Sequence, residues 1–182
     1  MNIVVSLFIS LVAHSAPFPG TSSSEFLKSD MGLYQSNLGF SIHAGKTSWI
    51  HTTPPADNSY VATVYKAPYL TRGVQPALTV RLDQMKKNQD IRSYMKQWLK
   101  DYPRMGFKVL GAKKLKINNQ PAYLIDLLSQ NNSKQLRQVV FVRNKQAVIL
   151  SCRDHQENFE KTVKDCNQIV RNFQWANSSR EG

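Results

Sequence analysis

The sequence predicts an α+β domain in which an antiparallel β-sheet meander carries helices packed on its faces. Short alternating segments rich in Val, Ile, Tyr and Thr recur through the middle of the chain. Two other stretches repeat apolar residues at helical spacing, and the order is strands, helix, strands, helix. The chain has 182 residues, of which 41% are hydrophobic, so it can form one domain with one packed core.

The N-terminal residues are predicted to be a targeting segment. The apolar run from Ile3 to Ala13 is shorter than the roughly 20 residues that span a bilayer, but it suits the core of a signal peptide. Ala13 and Ser15 have the spacing that a signal peptidase reads, so we predict a signal peptide over 1–15, cleaved after Ser15. One feature does not fit a signal peptide, because no Lys or Arg precedes the run. The alternative interpretation of the run is a buried N-terminal strand. Residues 16–37 are rich in Ser, Gly and Pro and are expected to form a flexible lead-in.

The predicted domain covers 38–176 and starts with strands. Residues 39–43 alternate, and residues 48–52 are placed to pair back on them, which would set His43 opposite His51. Residues 59–66 and 77–82 have strand composition and are separated by loops that contain proline.

Next comes a helix with Asp90 as its N-cap and an apolar face that includes Ile91, Trp98 and Tyr102; Pro103 closes it. The meander follows, with strands at 107–112, 113–117, 121–128, 138–143 and 147–152 and tight turns at 118–119 and 144–145. A closing helix carries Phe159, Val163, Cys166 and Val170 on one face. Asp154 and Glu157 before it resemble a capping box, and the tail 177–182 is expected to fray.

Several of these segments resemble the PsbP/Mog-like family, an α-β-α sandwich, over about residues 38–175. The resemblance rests on Gly39-Phe40-Ser41-Ile42 with Trp49 soon after, on Ala147-Val148-Ile149-Leu150 at the end of the meander, and on Phe173-Gln174-Trp175 after the last helix. It implies a binding or assembly module with no catalytic residues to carry over. The signal sequence and the proline-rich loop favour the exported bacterial branch, whose function is unknown.

The two cysteines, Cys152 and Cys166, either form a disulfide or remain free thiols. An even count in an exported chain favours a disulfide, which would stabilise the fold by about 3 kcal/mol for a loop of about 15 residues. The alternative is two buried thiols, because a strand end and a position inside the following helix can lie more than about 7 Å apart.

The chain is strongly basic, with 24 Lys and Arg against 12 Asp and Glu. Between Arg81 and Lys116 there are 11 basic and three acidic residues, a net charge of +8. Arg92, Lys96 and Lys100 are spaced by four on the predicted helix and therefore share one face. The predicted anion-binding face consists of Lys86, Lys87, Arg92, Lys96, Lys100, Arg104, Lys108, Lys113, Lys114 and Lys116; the alternative is a solvated surface that keeps the protein in solution.

Other chemistries find little support in the sequence. The aromatic residues near the basic helix fall on its apolar side, so they do not offer a stacking surface for nucleic acid, and no nucleic-acid-binding motif is present. No His, Cys or carboxylate spacing suits a metal site, and no glycine-rich phosphate loop occurs, so no metal or other cofactor is predicted. Asp126 interrupts an apolar strand, and we expect it to pair with Arg137 or Arg143 on the neighbouring strand.

These observations predict an exported, non-enzymatic binding or accessory protein, periplasmic or secreted, soluble and monomeric after signal cleavage. Its partner is expected to be an anionic envelope polymer, a lipid surface or an acidic protein. One alternative is a structural or assembly factor of an envelope complex whose charge serves only solubility. Another is a secreted hydrolase, which would require Asp126, Ser151 and His155 to meet in a cleft, because no nucleophile motif is visible.

Overall fold

The computed structural model describes residues 33–36, 39–54, 59–87 and 89–176. The predicted signal peptide and cleavage site and the predicted tail lie outside these residues, as does most of the predicted lead-in. The described part of the predicted lead-in is not a flexible segment, because Leu33–Ser36 forms strand β1 and pairs with β2, Phe40–His43. The sequence of β1 is too short to show an alternation that marks it as a strand.

The main structure is an antiparallel sheet of seven strands, in the spatial order β3-β4-β5-β9-β8-β7-β6. Its last four positions follow the chain in reverse, so the predicted meander is confirmed. The strands are β3 Ile50–Thr52, β4 Val61–Lys66, β5 Ala77–Gln84, β6 Phe107–Ile117, β7 Gln120–Ser129, β8 Lys134–Arg143 and β9 Gln146–His155.

The predicted first hairpin is wrong. β2 lies in a separate three-stranded sheet between β1 and β10, Gln174–Trp175, whereas β3 pairs with β4 in the main sheet. His43 and His51 are therefore not cross-strand neighbours. The segment between β2 and β3 contains Gly45 with φ of +65°, and the chain leaves one sheet there and enters the other.

The sequence predicts two short strands at 107–112 and 113–117, but the structure has one, β6. Its pairing with β7 shifts between Val109 and Gly111, a β-bulge that the sequence pattern shows as a break. The predicted two-residue turns are confirmed. Asn118, Asn119, Asn144 and Lys145 all have positive φ, as a type I′ turn requires at both central positions.

Helix α1 spans Ile91–Asp101, and Asp90 caps it as predicted: its Oδ1 accepts a hydrogen bond from the Ser93 amide at 2.7 Å. Helix α2 spans Phe159–Arg171, and here the predicted capping box is wrong. A 3₁₀ turn, Gln156–Asn158, separates Asp154 from the helix, so Asp154 instead accepts a hydrogen bond from the Thr162 hydroxyl at 2.5 Å. Glu157 pairs with Arg72.

The seven-stranded sheet has two differently covered faces. The α2 face carries residues such as Leu78, Phe141 and Leu150, which pack with α2, Phe173 and the small sheet in one apolar cluster. The opposite α1 face carries Ile125, Val140 and Ile149, which pack with Met95 and Tyr102 in a second cluster. The fold is thus α+β with a helix on each face of the sheet, as predicted.

A disulfide joins Cys152 of β9 to Cys166 of α2, so the predicted disulfide is confirmed. The two Cα atoms are 6.0 Å apart, inside the range that a bridge tolerates. Both residues are buried in the α2-face cluster. The bridge therefore ties the last helix to the centre of the main sheet.

Candidate functional site

The basic stripe of α1 is defined as Arg92, Lys96 and Lys100. The helix buries Tyr94 and Met95 against the sheet, which leaves the stripe on its exposed side, one residue per turn. Among the described residues none of the three forms an ion pair; the nearest helical pair is Arg104 with Asp101, at 3.9 Å. The stripe therefore presents to solvent three cations that form no ion pair.

The other predicted basic residues do not all lie with the stripe. Lys86 and Lys87 are exposed in the loop that enters α1, and Arg104 follows its end. On β6, Lys114 and Lys116 pair opposite Tyr123 and Pro121 and so belong to the α1 face, with the Lys114 Nζ 5.5 Å from the Tyr123 ring centroid. The remaining two, Lys108 and Lys113, alternate onto the α2 face. The ten predicted residues thus divide between two sides of the sheet.

Two tyrosine hydroxyls fasten α1 to the sheet. Tyr94 donates a hydrogen bond to Asp83 at 2.7 Å, and burial together with this carboxylate raises the pKa of the Tyr94 phenol. Tyr102 donates to the side-chain oxygen of Gln138, and burial raises the pKa of Tyr102 to about 12. Both phenols therefore remain protonated donors at neutral pH, and the orientation of the stripe is fixed.

A second group of cations lies beside α1, where the helix leaves the α1 face open. A groove of about 550 Å³ occupies this area, and Lys66, Arg81 and Arg153 line it from β4, β5 and β9. Lys66 and Arg153 both pair with Ala77, on its two sides, so their Cα atoms are about 10 Å apart. No Asp or Glu occurs among the described residues that line the groove. We call it the open-face groove.

The floor of the open-face groove is polar. Thr79, Ser151 and Gln138 form one row across three neighbouring strands, because Thr79 pairs with Ser151 and Ser151 pairs with Gln138. Val61, Val64 and Leu136 add apolar surface to the lining. The groove therefore combines positive charge, hydroxyl and amide groups, and a hydrophobic part.

The open-face groove could not be recognised from the amino-acid sequence. Part of the groove is visible in the sequence, because Thr79 and Arg81 alternate with apolar residues along β5, as Ser151 and Arg153 do along β9. That alternation predicts polar side chains on one face but does not say which strands are neighbours. β5 lies next to β9, about 70 residues later in the chain, and only this pairing brings the cations together.

The residues required for a hydrolase do not meet. Asp126 pairs with Arg137 as predicted, through hydrogen bonds of 2.8 and 2.9 Å, and lies on the α2 face. Ser151 and His155 alternate onto the α1 face of β9. Cys152 is bonded to Cys166 and does not offer a free thiol.

Within the described ranges no set of three His, Cys, Asp or Glu residues is placed to hold a metal ion. None of the helices in that part of the chain has the length and apolar character needed to cross a membrane.

Comparisons with solved structures give several with a similar architecture. One is the solution structure of cyanobacterial PsbP (CyanoP) from Synechocystis sp. PCC 6803, with a TM-score of 0.59 and 11% identity, covering 88% of this chain and 98% of that one. Another is LpqN, involved in cell envelope biogenesis of Mycobacterium tuberculosis, with a TM-score of 0.59 and 10% identity over 87% and 99% of the two chains.

A third is PA94 from Pseudomonas aeruginosa, a protein of unknown function described as a putative regulator. Its TM-score is 0.54 and its identity 15%, over 76% of this chain and 92% of that one. No protein-family model and no curated protein matches the sequence. At these identities the likeness concerns the fold, and any function has to be argued from this chain's own residues.

Proposed function

We propose that this chain, which has the PsbP/Mog-like fold, is an exported accessory domain that acts without catalysis and binds an anionic surface of the cell envelope through the basic stripe of α1. The observation that carries the proposal is the exposure of three cations without ion pairs along one side of a helix whose opposite side is anchored in the core. Lys86, Lys87 and Arg104 extend this positive region at both ends of the helix.

Export is the first part of the proposal. The apolar run from Ile3 to Ala13, with Ala13 and Ser15 at cleavage spacing, supports it. The disulfide between Cys152 and Cys166 suits an oxidising compartment. N-terminal sequencing of protein recovered from outside the cytoplasm is expected to begin at Ala16, and recovery of the intact N terminus would contradict export with signal cleavage.

Binding to an anionic surface is the second part. A lysine or arginine near an anionic membrane contributes about 1 kcal/mol, so three together contribute about 3 kcal/mol, or roughly a hundredfold in partitioning. Lys114 and Lys116 of β6 add positive charge on the same face of the sheet as α1. One of the fold neighbours is described as involved in cell envelope biogenesis, which agrees with a role in the envelope.

The test is partitioning of the mature protein onto vesicles with and without anionic lipid, and retention on heparin, across a salt series. The variant carries Arg92→Gln, Lys96→Gln and Lys100→Gln. The matched control carries Lys161→Gln, Lys164→Gln and Arg171→Gln, which removes the same charge from the exposed side of α2.

We expect the wild type and the control to bind anionic vesicles at low salt, and the stripe variant to bind about a hundredfold more weakly. Equal binding by both variants would overturn the role of the stripe and favour an assembly factor whose charge serves solubility. Binding only to a protein partner, unaffected by salt, would have the same consequence.

A further inference from the structure

We propose that the open-face groove is a binding site for a small amphiphilic phosphate, that is, a phosphate monoester attached to a short apolar group. This site is separate from the basic stripe and does not depend on the function proposed for the stripe. Its volume of about 550 Å³ falls in the range of about 300–1,000 Å³ that is usual for small-molecule sites.

The charge of the groove selects an anion, and its magnitude favours a dianion. Lys66, Arg81 and Arg153 line it, and within the described part of the chain none of them forms an ion pair. The nearest acid on the same face of β5, Asp83, lies outside the lining and accepts the hydrogen bond from Tyr94. A phosphate monoester carries nearly two negative charges at neutral pH, whereas a carboxylate carries one.

The arrangement of donors suits a phosphate group. Two arginines and a lysine offer charge-assisted hydrogen bonds, which arginine can make in pairs. Arg81 is held in place because its guanidinium lies over the Trp98 ring, with Cζ 5.4 Å from the centroid. Thr79 and Ser151 lie in the row between the Lys66–Arg153 pair and Arg81. The Ser151 hydroxyl supplies a further donor to a phosphate placed there, whereas the Thr79 hydroxyl already donates to the Ser151 carbonyl at 3.5 Å.

The apolar part of the ligand has its own surface. Val61 and Val64 lie on the β4 side of the polar row, and Leu136 lies opposite Arg153 on β8. Val64 is buried and the other two are half-buried. A short alkyl group placed against them would remove apolar area from water, so the alkyl ester is expected to bind more tightly than inorganic phosphate.

The test uses hexyl phosphate, hexanoate, 1-hexanol and inorganic phosphate as probes, with affinities measured by isothermal titration calorimetry on the mature, disulfide-bonded protein. The groove variant carries Lys66→Gln, Arg81→Gln and Arg153→Gln. The stripe variant described above is the matched control, because each removes three positive charges from the protein. Amide chemical shifts of the wild type are followed during the hexyl phosphate titration.

We expect hexyl phosphate to bind at least about tenfold more tightly than the other three probes. The affinity of the groove variant for hexyl phosphate is expected to fall at least about tenfold, whereas that of the stripe variant changes by less than about twofold. The largest changes in amide chemical shift are expected at Thr79, Ser151 and Gln138. Equal losses in both variants would show non-specific charge attraction and overturn the site. Equal affinity for hexanoate or inorganic phosphate would overturn the amphiphilic phosphate as its ligand.

The wild-type shifts keep the test decisive if the groove variant unfolds. Shifts confined to α1, β6 or α2 would place hexyl phosphate elsewhere and reject the groove. Failure of hexyl phosphate to bind at all would reject it too, and neither result bears on vesicle binding by the stripe.

Discussion

Arg81 lies over the indole ring of Trp98, its Cζ 5.4 Å from the ring centroid. The arginine comes from β5 and lines the open-face groove, whereas the tryptophan comes from α1 and packs against the α1-face cluster. This contact joins the groove to the helix that carries the basic stripe. An anion that draws the guanidinium toward itself will therefore alter the surroundings of an intrinsic fluorophore.

The first prediction uses that contact. In a protein carrying Trp49→Phe and Trp175→Phe, Trp98 is the sole tryptophan, since the chain has three. Hexyl phosphate is expected to cause a saturable change in its emission that disappears at high salt and in the Arg81→Gln variant. An unchanged emission while calorimetry reports binding would contradict placement of the ligand beside Arg81.

The second prediction concerns the disulfide. Replacing both Cys152 and Cys166 with Ala opens a loop whose ends are 14 residues apart, and is expected to lower the free energy of unfolding by about 3 kcal/mol. Guanidinium unfolding of the variant, and of the wild type with and without reductant, measures the loss. Reductant should not affect the variant, and a reduced wild type as stable as the oxidised one would contradict the prediction.

The third prediction concerns the ion pair between Asp126 and Arg137. Both side chains keep only about a fifth to a quarter of their surface exposed, at 21% and 24%. Asp126→Ala is therefore expected to cost about 2 kcal/mol of stability, less than the loss of one partner from a fully buried pair. Asp101→Ala, which breaks the longer and more exposed contact with Arg104, serves as the control and should cost under about 0.5 kcal/mol.

A double-mutant cycle with Arg137→Ala separates the pair from the individual side chains. If the two single losses add without coupling, the ion pair between Asp126 and Arg137 does not contribute to stability and the prediction fails.

The fourth prediction is a pH dependence. The pKa of Tyr102 is raised to about 12 in the folded protein because the phenol is buried, whereas an unfolded tyrosine titrates near 10. The unfolded state thus loses its proton first, so this contribution to stability is complete below about pH 10 and is lost as the pH rises toward 12. Tyr102→Phe is expected to be less stable than wild type at neutral pH by about 1 kcal/mol, because Gln138 loses its donor.

The stability difference between wild type and Tyr102→Phe should shrink across that alkaline interval in denaturant unfolding. A constant difference would show that Tyr102 does not titrate with the unfolding equilibrium.

Local patterns were enough to predict most elements of this fold. Asp90, the asparagine turns and the apolar face of α1 each act within a few residues, and the Asp126–Arg137 pair follows from alternation on adjacent strands of a meander. The partners of β2 were not predictable in the same way, because β1 has four residues and β10 has two. The open-face groove was missed for a related reason, since β5 and β9 meet only through long-range pairing.

The bulge in β6 shows a different limit. A shift of register at Val109–Gly111 interrupts the alternation without ending the strand, so one continuous strand reads as two. Without that shift Lys108 would share a face with Lys114 and Lys116, so alternation counted along the sequence misplaces Lys108.

Strand β6 forms one border of the main sheet over 11 residues, and four of them are lysines. An open border of this length is a template onto which a second copy of the chain could add its own backbone, and like charges on both copies oppose that addition. A polyanion that neutralises these lysines, or acetylation that removes their charge, takes the opposition away. Loss of charge along that border is therefore expected to appear first as self-association.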